Sequence, residues 1–383
     1  MDVTQAVSRR RFVGGVTGAL GALTLGPAST AWPQAPAAPR RQATVDDYDR
    51  MAKLSFNENP YGPPESVLKA MTEAFKYANR YGYPDGGIVE AIAKHHDVAP
   101  EQVMLGAGSG EILDVCCTTF LMDDKKVVGA EPSYNILYST ATALKADQIK
   151  LPLLPDYRQD IAGTIAAVKR NYRDVGFVYL CNPNNPTGKV VTKQDVAQLL
   201  DGIPADVPVV IDEAYHHFVE HPEYATSVPY VKQGRLVIVA RTFSKIAGLA
   251  GMRLGYAVAP RELLQRMRPH STGTINAVVK WGGVASLKDT AAQAWVRKTT
   301  LELRGRTVRA LEGMGYSVIP SDCNFFMVHL KKPVQPIVEE FRKKGVLVGR
   351  PFPPMLEYLR VSVGTAQEMD RFLMAFREIM ALE

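Results

Sequence analysis

The sequence predicts an α/β fold, in which a mostly parallel sheet carries helices on both faces and a smaller α+β domain follows. Short, uncharged, β-branched segments alternate with amphipathic helical segments over the middle of the chain, a pattern typical of parallel sheets. From about Gln293 the pattern changes to a long charged helix, short strands and two further helices. The 383 residues are enough for one large domain and a smaller one.

Each predicted element has a pattern of its own. Strands are predicted where β-branched residues form short uncharged runs, and helices where apolar residues recur at spacings of three and four. The larger part has predicted strands at 103–105, 126–129, 177–180, 207–211 and 236–240, and predicted helices at 64–78, 88–96, 112–120, 138–144 and 192–200. The smaller part has predicted helices at 293–314, 334–344 and 366–380, with strands at 316–319, 324–328, 346–348 and 358–364.

Residues 1–31 resemble an export leader. Residues 8–13 fit the twin-arginine pattern S-R-R-x-F-V, and Ser29-Thr30-Ala31 offers a cleavage site between small residues. The weakly apolar run between them is too short and too rich in glycine to act as a stable membrane anchor. Residues 32–45, rich in proline and alanine, are typical of a linker. We expect export by the Tat machinery to the periplasm; the alternative is a cytoplasmic protein with a basic tail.

The net charge does not indicate a nucleic-acid partner. The formal charge is +6, but residues 1–41 hold five arginines against a single acid, Asp2. The rest of the chain carries only about +2 and has no basic patch interleaved with aromatic residues.

The cysteines give no sign of a metal site. Cys116, Cys117, Cys181 and Cys323 lack metal-ligand spacing, so we expect small buried side chains. A Cys181–Cys323 disulfide is compatible with an oxidising periplasm, but the sequence alone does not support it.

Small residues follow the strand at 103–105. Gly106 to Gly110 reads G-A-G-S-G and leads into an apolar helix. Free backbone N–H groups and the helix dipole bind anions in such a place. The full G-x-G-x-x-G fingerprint of dinucleotide sites is absent, and a plain turn before a helix is the alternative.

Two further strands end in charged residues. Asp212 closes the strand at 207–211, where open α/β sheets bind their ligands, although a helix cap is the alternative role. Ser244-Lys245 follows the strand at 236–240, and Arg253 comes eight residues after the lysine. Burial lowers the pKa of a lysine and makes its amine nucleophilic, as Schiff-base chemistry with an aldehyde requires. A nearby arginine is suited to hold a phosphate.

Two other segments carry polar groups beside apolar runs. Residues 182–188, N-P-N-N-P-T-G, form a rigid turn whose asparagines must face specific partners. Arg360 lies inside the apolar run 359–363, which indicates an anionic partner such as a carboxylate.

Taken together, these residues resemble the class I/II aminotransferases of fold type I, most closely the histidinol-phosphate aminotransferase-like group. The resemblance covers residue 54 to the C-terminus and rests on motifs in the family's order. They are NENPYG, YGYPDG, GAGSGEIL, EPSY, NPNNPTG, DEAY, RTFSKIAGLAGMRLG, SDCNFF and LRVSVGT. It implies a seven-stranded type of sheet and the cofactor pyridoxal 5′-phosphate.

The resemblance also implies a role for each matched residue. Lys245 would hold the cofactor as a Schiff base and move the proton, Asp212 would pair with the ring nitrogen, and Tyr215 would hydrogen-bond the phenolic oxygen. The other implied cofactor contacts are Ser109, Gly110, Tyr134, Asn185, Ser244, Arg253 and Tyr83, the last from a neighbouring subunit. The implied substrate contacts are Arg360 for a carboxylate, with Tyr61, Asn57 and Asn324. A structural role for Asn324 is the alternative.

The implied reaction moves an amino group from an amino donor to a 2-oxo acid in a homodimer with shared sites. A decarboxylase or lyase of the same fold, and an idle cofactor-binding protein, are the alternatives. The leader argues against housekeeping histidine synthesis, because its phosphorylated intermediate is not expected in the periplasm. We therefore expect a periplasmic aminotransferase, with a cytosolic histidinol-phosphate aminotransferase as the alternative. Expected boundaries are 46–80 for an N-terminal segment packing on the small domain, 81–285 for the large domain and 286–383 for the small one.

Overall fold

The computed structural model describes residues 45–381. The predicted leader at 1–31 and nearly all of the predicted linker lie outside these residues. From Arg50 onward the described chain packs as one compact unit. The strands are β1 Ala52–Leu54, β2 Val103–Gly106, β3 Lys126–Glu131, β4 Gln148–Pro152, β5 Val175–Cys181, β6 Val209–Asp212, β7 Val237–Thr242, β8 Gly255–Val258, β9 Val318–Ile319, β10 Phe325–His329, β11 Val346–Val348 and β12 Tyr358–Ser362.

The α-helices alternate with these strands. They are α1 Val45–Arg50, α2 Glu65–Ala74, α3 Ile88–His96, α4 Ser109–Phe120, α5 Ile136–Ala143, α6 Ile161–Arg170, α7 Lys193–Gly202, α8 Val228–Lys232, α9 Arg261–Met267, α10 Ala277–Lys288, α11 Thr290–Gly313, α12 Val334–Lys343 and α13 Ala366–Ile379. Within residues 45–381, no helix is long and apolar enough to cross a bilayer.

A seven-stranded sheet organises the larger part of the chain. Its order is β2-β8-β7-β6-β5-β3-β4, and every pairing is parallel except the two made by β8. The mostly parallel sheet that the sequence predicts is confirmed. The sequence pattern misses β4 and β8: β4 is amphipathic and only half-buried, and β8 follows Arg253 within a glycine-rich stretch.

Side chains of the central strands alternate between the two faces of the sheet, and each face carries an apolar layer. Val209 and Ile211 pack with residues of α3, α6, α7 and α10, while Val210 packs with residues of α4, α5 and α9. Successive side chains of a strand point to opposite faces, so helices cover both faces. A third apolar cluster joins α11, α12 and α13 to the smaller sheets.

Two small sheets complete the described chain. β12, β10 and β9 form an antiparallel sheet, and β1 pairs in parallel with β11. The β1 segment therefore runs beside the C-terminal part of the chain, and β12 carries Arg360. The expected domain boundaries stay a prediction.

All four cysteines are buried and free. Their prediction as small buried side chains is confirmed, and Cys181 and Cys323 are not joined by a disulfide in this structure. Burial raises the pKa of each thiol above its usual value, which disfavours the reactive thiolate.

Candidate active site

Three parallel strands bring the predicted site residues to one edge of the sheet. The register pairs Cys181 with Asp212 and Asp212 with Ala240, so β5, β6 and β7 end side by side. Asp212 is the last residue of β6, and the loops after β5 and β7 carry Asn185 and Ser244-Lys245. Ligands of open α/β sheets bind at this edge. Adjacency of β5, β6 and β7 thus assembles residues that are far apart in sequence.

Asp212 is buried and held by two donors. The Ala214 backbone N–H donates to one carboxylate oxygen at 3.1 Å, and the Tyr179 hydroxyl lies 3.4 Å from the other. Burial raises the pKa of Asp212 to about 6. The sequence pattern did not single out Tyr179, although a tyrosine inside a buried strand signals a hydroxyl in need of a partner.

Lys245 lies where an amine can lose its proton. Its Nζ donates to the Phe56 carbonyl at 3.0 Å and lies 5.6 Å from the centre of the Tyr215 ring. Burial, reinforced by the positive charge of Arg360, lowers the pKa of Lys245 to about 8. About one tenth of the amine is therefore uncharged at pH 7, a far larger share than in an ordinary lysine, and the uncharged form is what a nucleophile or general base requires.

A cradle for a phosphate lies at the N-terminus of α4. The Arg253 guanidinium donates to the Ala107 carbonyl at 3.0 Å and lies 3.4 Å from the Ser244 hydroxyl. Gly108 has φ +79°, and a Cβ there would lie 2.2 Å from an Arg253 nitrogen. Backbone N–H groups, a hydroxyl and a guanidinium thus meet at a position where only glycine leaves enough room. Such a set of donors fits a phosphate group. The predicted Ser109 and Gly110 open the helix and are buried.

Amide and phenol groups converge beside Lys245. Tyr215 is buried, and its hydroxyl lies 3.0 Å from the Asn57 amide and 3.4 Å from the Asn185 amide. Burial raises the pKa of Tyr215 well above its usual value, so its hydroxyl keeps its proton. Burial and then the Asp212 charge raise the pKa of Tyr134 to about 12.

Arg360 reaches the same place from β12. Its guanidinium donates to Asn185 Oδ1 at 2.6 Å and to the Ser55 carbonyl at 2.5 Å, while its Nε is buried without a partner. Asn324 Oδ1 is likewise buried without a partner, and its amide donates to the Asn57 carbonyl at 3.0 Å. A buried cation and an open acceptor fit a substrate that carries a carboxylate and a donor group.

Two predicted residues lie further out. Tyr61 is half-buried and meets the ring of Trp295 edge-on, with centroids 4.7 Å apart. The Tyr83 hydroxyl donates to the Ile275 carbonyl at 2.9 Å, and Lys280 Nζ lies 5.0 Å from its ring. The role of Tyr83 toward a neighbouring subunit stays a prediction, as do the other individual residue roles.

The aminotransferase class I and II family matches residues 49–376. The chain belongs to this family. The enzyme class, the fold and the pyridoxal phosphate cofactor that the sequence predicts are thereby confirmed.

Relatives of this aminotransferase include several histidinol-phosphate aminotransferases. The one from Moorella thermoacetica is 34% identical over 349 residues, which is 89% of this chain and 88% of the relative. The solved histidinol-phosphate aminotransferase of Sinorhizobium meliloti, in complex with pyridoxal 5′-phosphate, is 26% identical, with a TM-score of 0.79 over 86% of this chain and 90% of that one.

The same fold also serves another reaction. L-threonine-O-3-phosphate decarboxylase from Porphyromonas gingivalis is 21% identical to this aminotransferase, with a TM-score of 0.74 over 86% of this chain and 99% of that one. That likeness concerns the fold alone. Reaction type must therefore be argued from side chains.

Proposed function

We propose that this aminotransferase moves an amino group from a carboxylate-bearing amino compound to a 2-oxo acid, with Lys245 holding the cofactor and carrying the proton. The observation that carries the proposal is the convergence of a low-pKa amine at Lys245, a buried carboxylate at Asp212 and a buried guanidinium at Arg360. Asp212 ends β6 and Lys245 follows β7 of the large sheet, whereas Arg360 lies on β12 of the three-stranded sheet.

Pyridoxal phosphate, when bound here, supplies an aldehyde and a ring that withdraws electrons from the substrate Cα. Asp212 would hold the ring nitrogen protonated, and the Tyr215 and Asn185 side chains would hydrogen-bond the phenolic oxygen. Ser109, Gly110, Ser244 and Arg253 would hold the phosphate. Tyr134 would stack on the ring, an arrangement for which its partly buried side chain is suited.

The substrate is oriented by side chains from β12 and the segment after β1. Arg360 would donate to the substrate carboxylate in place of its present partners, and its unpartnered Nε would form part of the fork. Asn57, Tyr61 and Asn324 would line the remaining side of the substrate. Lys245, in the uncharged form of its amine, would take the proton from the substrate Cα and deliver it to C4′ of the cofactor.

Visible absorbance of the purified protein tests amino transfer. Single L-amino acids are added to the protein loaded with pyridoxal phosphate, and a 2-oxo acid follows. We expect one donor class to bleach the visible band and the 2-oxo acid to restore it. Carbon dioxide release, or turnover without any 2-oxo acid, would instead assign a decarboxylase or lyase.

The donor depends on where the protein acts. Histidinol-phosphate aminotransferases among the relatives support a histidinol-phosphate-like donor, whereas the motif at residues 8–13 supports an exported amino compound. We propose periplasmic action. A reporter fused after residue 41 should appear in the periplasm and stay in the cytoplasm once residues 1–31 are deleted; unchanged localisation on deletion would reject the leader.

A further inference from the structure

An ion pair between Glu213 and Arg241 lies on the opposite face of the sheet from the Asp212 side chain. Glu213 directly follows Asp212, the last residue of β6, and Arg241 lies within β7, three residues before Ser244. Ile211 and Val239, two residues earlier on each strand, belong to the apolar layer under α3 and α10. Period-two alternation therefore directs Glu213 and Arg241 away from Asp212.

Both ends of this pair are fully enclosed. The Glu213 side chain is 0% exposed and that of Arg241 is 5% exposed, with Nη2 donating to Oε2 at 2.7 Å. Glu213 also accepts from the Thr226 hydroxyl at 2.9 Å and from the Ser227 backbone N–H at 2.6 Å. These contacts hold the carboxylate in one orientation.

His216 closes the network onto the backbone. Its Nδ1 lies 2.7 Å from the Glu213 carbonyl and its Nε2 lies 2.9 Å from Arg241 Nη1. A carbonyl can only accept and a guanidinium can only donate, so Nδ1 carries the proton and Nε2 accepts. Burial and the Arg241 charge hold the pKa of His216 well below its usual value, which keeps the imidazole neutral.

Other titratable groups face the same network. His217 Nδ1 and the Tyr224 hydroxyl are buried without hydrogen-bond partners, and the Tyr256 hydroxyl lies 2.9 Å from His96 Nε2. Burial and Arg241 lower the pKa of His217 and of His96 to about 3. The imidazoles of His217 and His96 beside the ion pair are therefore neutral near neutral pH.

A buried ion pair is a poor device for stability alone. Removing two charges from water is costly, and apolar residues of similar volume often serve the fold equally well. Fully satisfied buried networks do fix one geometry. This pair lies one residue beyond Asp212 and Ala240, the last register pair of β6 and β7. At that place a fixed geometry determines how the two strand ends lie beside each other.

We propose that Glu213, Arg241 and His216 form a positioning unit that fixes the distance between the Asp212 carboxylate and the Ser244-Lys245 segment. The unit joins β6 and β7 just beyond the point where their pairing with each other ends, close to the site residues that follow the two strands. It acts through its neighbours and touches neither substrate nor cofactor. This inference rests on the proposed roles of Asp212 and Lys245.

The test compares Glu213→Gln with a matched control, Asp370→Asn. Asp370 also pairs with an arginine at 2.7 Å, but on an exposed surface between α11 and α13. Four properties are measured on full-length protein: unfolding temperature without cofactor, affinity of the apoprotein for pyridoxal phosphate by fluorescence, the pH titration of the visible band, and kcat against KM.

We expect Glu213→Gln to fold and to lower kcat about 10²-fold with little change in donor KM, because small misplacement of reacting groups is that costly. We expect its cofactor affinity to fall and its pH titration to shift, and Asp370→Asn to match wild type. Arg241→Lys keeps the charge but loses the guanidinium fork, and should show the same changes to a smaller extent.

Three results would overturn the inference. One is wild-type kcat and pH titration in Glu213→Gln. Another is a fall in kcat and a shifted pH titration in Asp370→Asn as large as those in Glu213→Gln. The third is failure of both Glu213→Gln and Arg241→Lys to fold, which would leave the pair a purely structural role. If the unsubstituted protein itself showed no amino transfer, the proposed function would fail instead, so the two failures are distinguishable.

Discussion

Lys245 owes its reactivity to what surrounds it. A lysine amine in water has a pKa near 10.5, and burial beside Arg360 brings that of Lys245 to about 8. The pKa of Asp212 is shifted in the other direction, upward to about 6, again mainly by burial. Pairs of groups whose environments move their pKa values toward neutrality are typical of sites that transfer protons.

Replacing Lys245 by Ala should lower turnover at least about 10²-fold while leaving the fold intact. The change removes the group that carries the proton, a role worth roughly 10²–10⁴-fold in rate. The measurement is kcat for the best donor, with Lys298→Ala, an exposed lysine on α11, as the control. Retained turnover in Lys245→Ala would show that another base does this work.

Cofactor uptake should follow the ionisation of Lys245. Its lowered pKa means that the amine is mainly protonated below pH 8 and mainly free above it. The rate at which the apoprotein takes up pyridoxal phosphate should rise about tenfold per pH unit up to pH 8 and then level off. Stopped-flow absorbance measures this rate, with N-acetyl-lysine amide as the control amine. A rate that still rises at pH 10 would contradict the lowered pKa.

Arg360→Lys should weaken binding of the amino donor without weakening binding of the cofactor. A lysine keeps the charge but cannot form the bidentate fork, and one charged hydrogen bond is worth about 1.5–3 kcal/mol. We expect kcat/KM for a carboxylate-bearing donor to fall at least about tenfold. Steady-state kinetics and a cofactor titration separate the two effects, and an unchanged kcat/KM would remove Arg360 from the substrate site.

At the scale of elements, the cradle at α4 depends on the absence of one side chain. Gly108 has a positive φ, and a Cβ there would collide with the Arg253 guanidinium. We expect Gly108→Ala to weaken pyridoxal phosphate binding at least about tenfold, through strain and displacement of Arg253.

The matched control for that change is Gly251→Ala, because a Cβ at Gly251 meets nothing within 4 Å. Equilibrium titration of each apoprotein with pyridoxal phosphate gives the affinities. Equal affinities in the two variants would show that the cradle does not depend on Gly108.

Local patterns predicted most elements but not their partners. Apolar β-branched runs located β5, β6 and β7, because these strands are buried on both faces. The same patterns could not show that Arg360 meets Asn185, which is 175 residues away, because a long-range contact leaves no local trace. The family motifs supplied that expectation. Likewise, Glu213 and Arg241 lie within the DEAY and RTFSK motifs, but no local pattern predicts that they pair with each other.

At the scale of the whole molecule, we propose a homodimer in which Tyr83 serves the neighbouring subunit. Within residues 45–381, the one hydrogen bond of its hydroxyl goes to the Ile275 carbonyl and not to a residue of the α4 cradle. Light scattering should give about twice the 42.0 kDa of one chain, less any leader removed. Tyr83→Phe should weaken cofactor binding but leave the mass unchanged; a monomer that is fully active would reject the shared site.

Chemical trapping tests the central claim most directly. The protein loaded with pyridoxal phosphate is reduced with borohydride, digested and sequenced by mass spectrometry. Our account predicts that the peptide containing Ser244-Lys245 carries the cofactor, and that prior incubation with an amino donor removes most of this label by freeing the lysine. A label on another lysine, or no label on any peptide, would contradict the assignment of Lys245 and with it the proposed reaction.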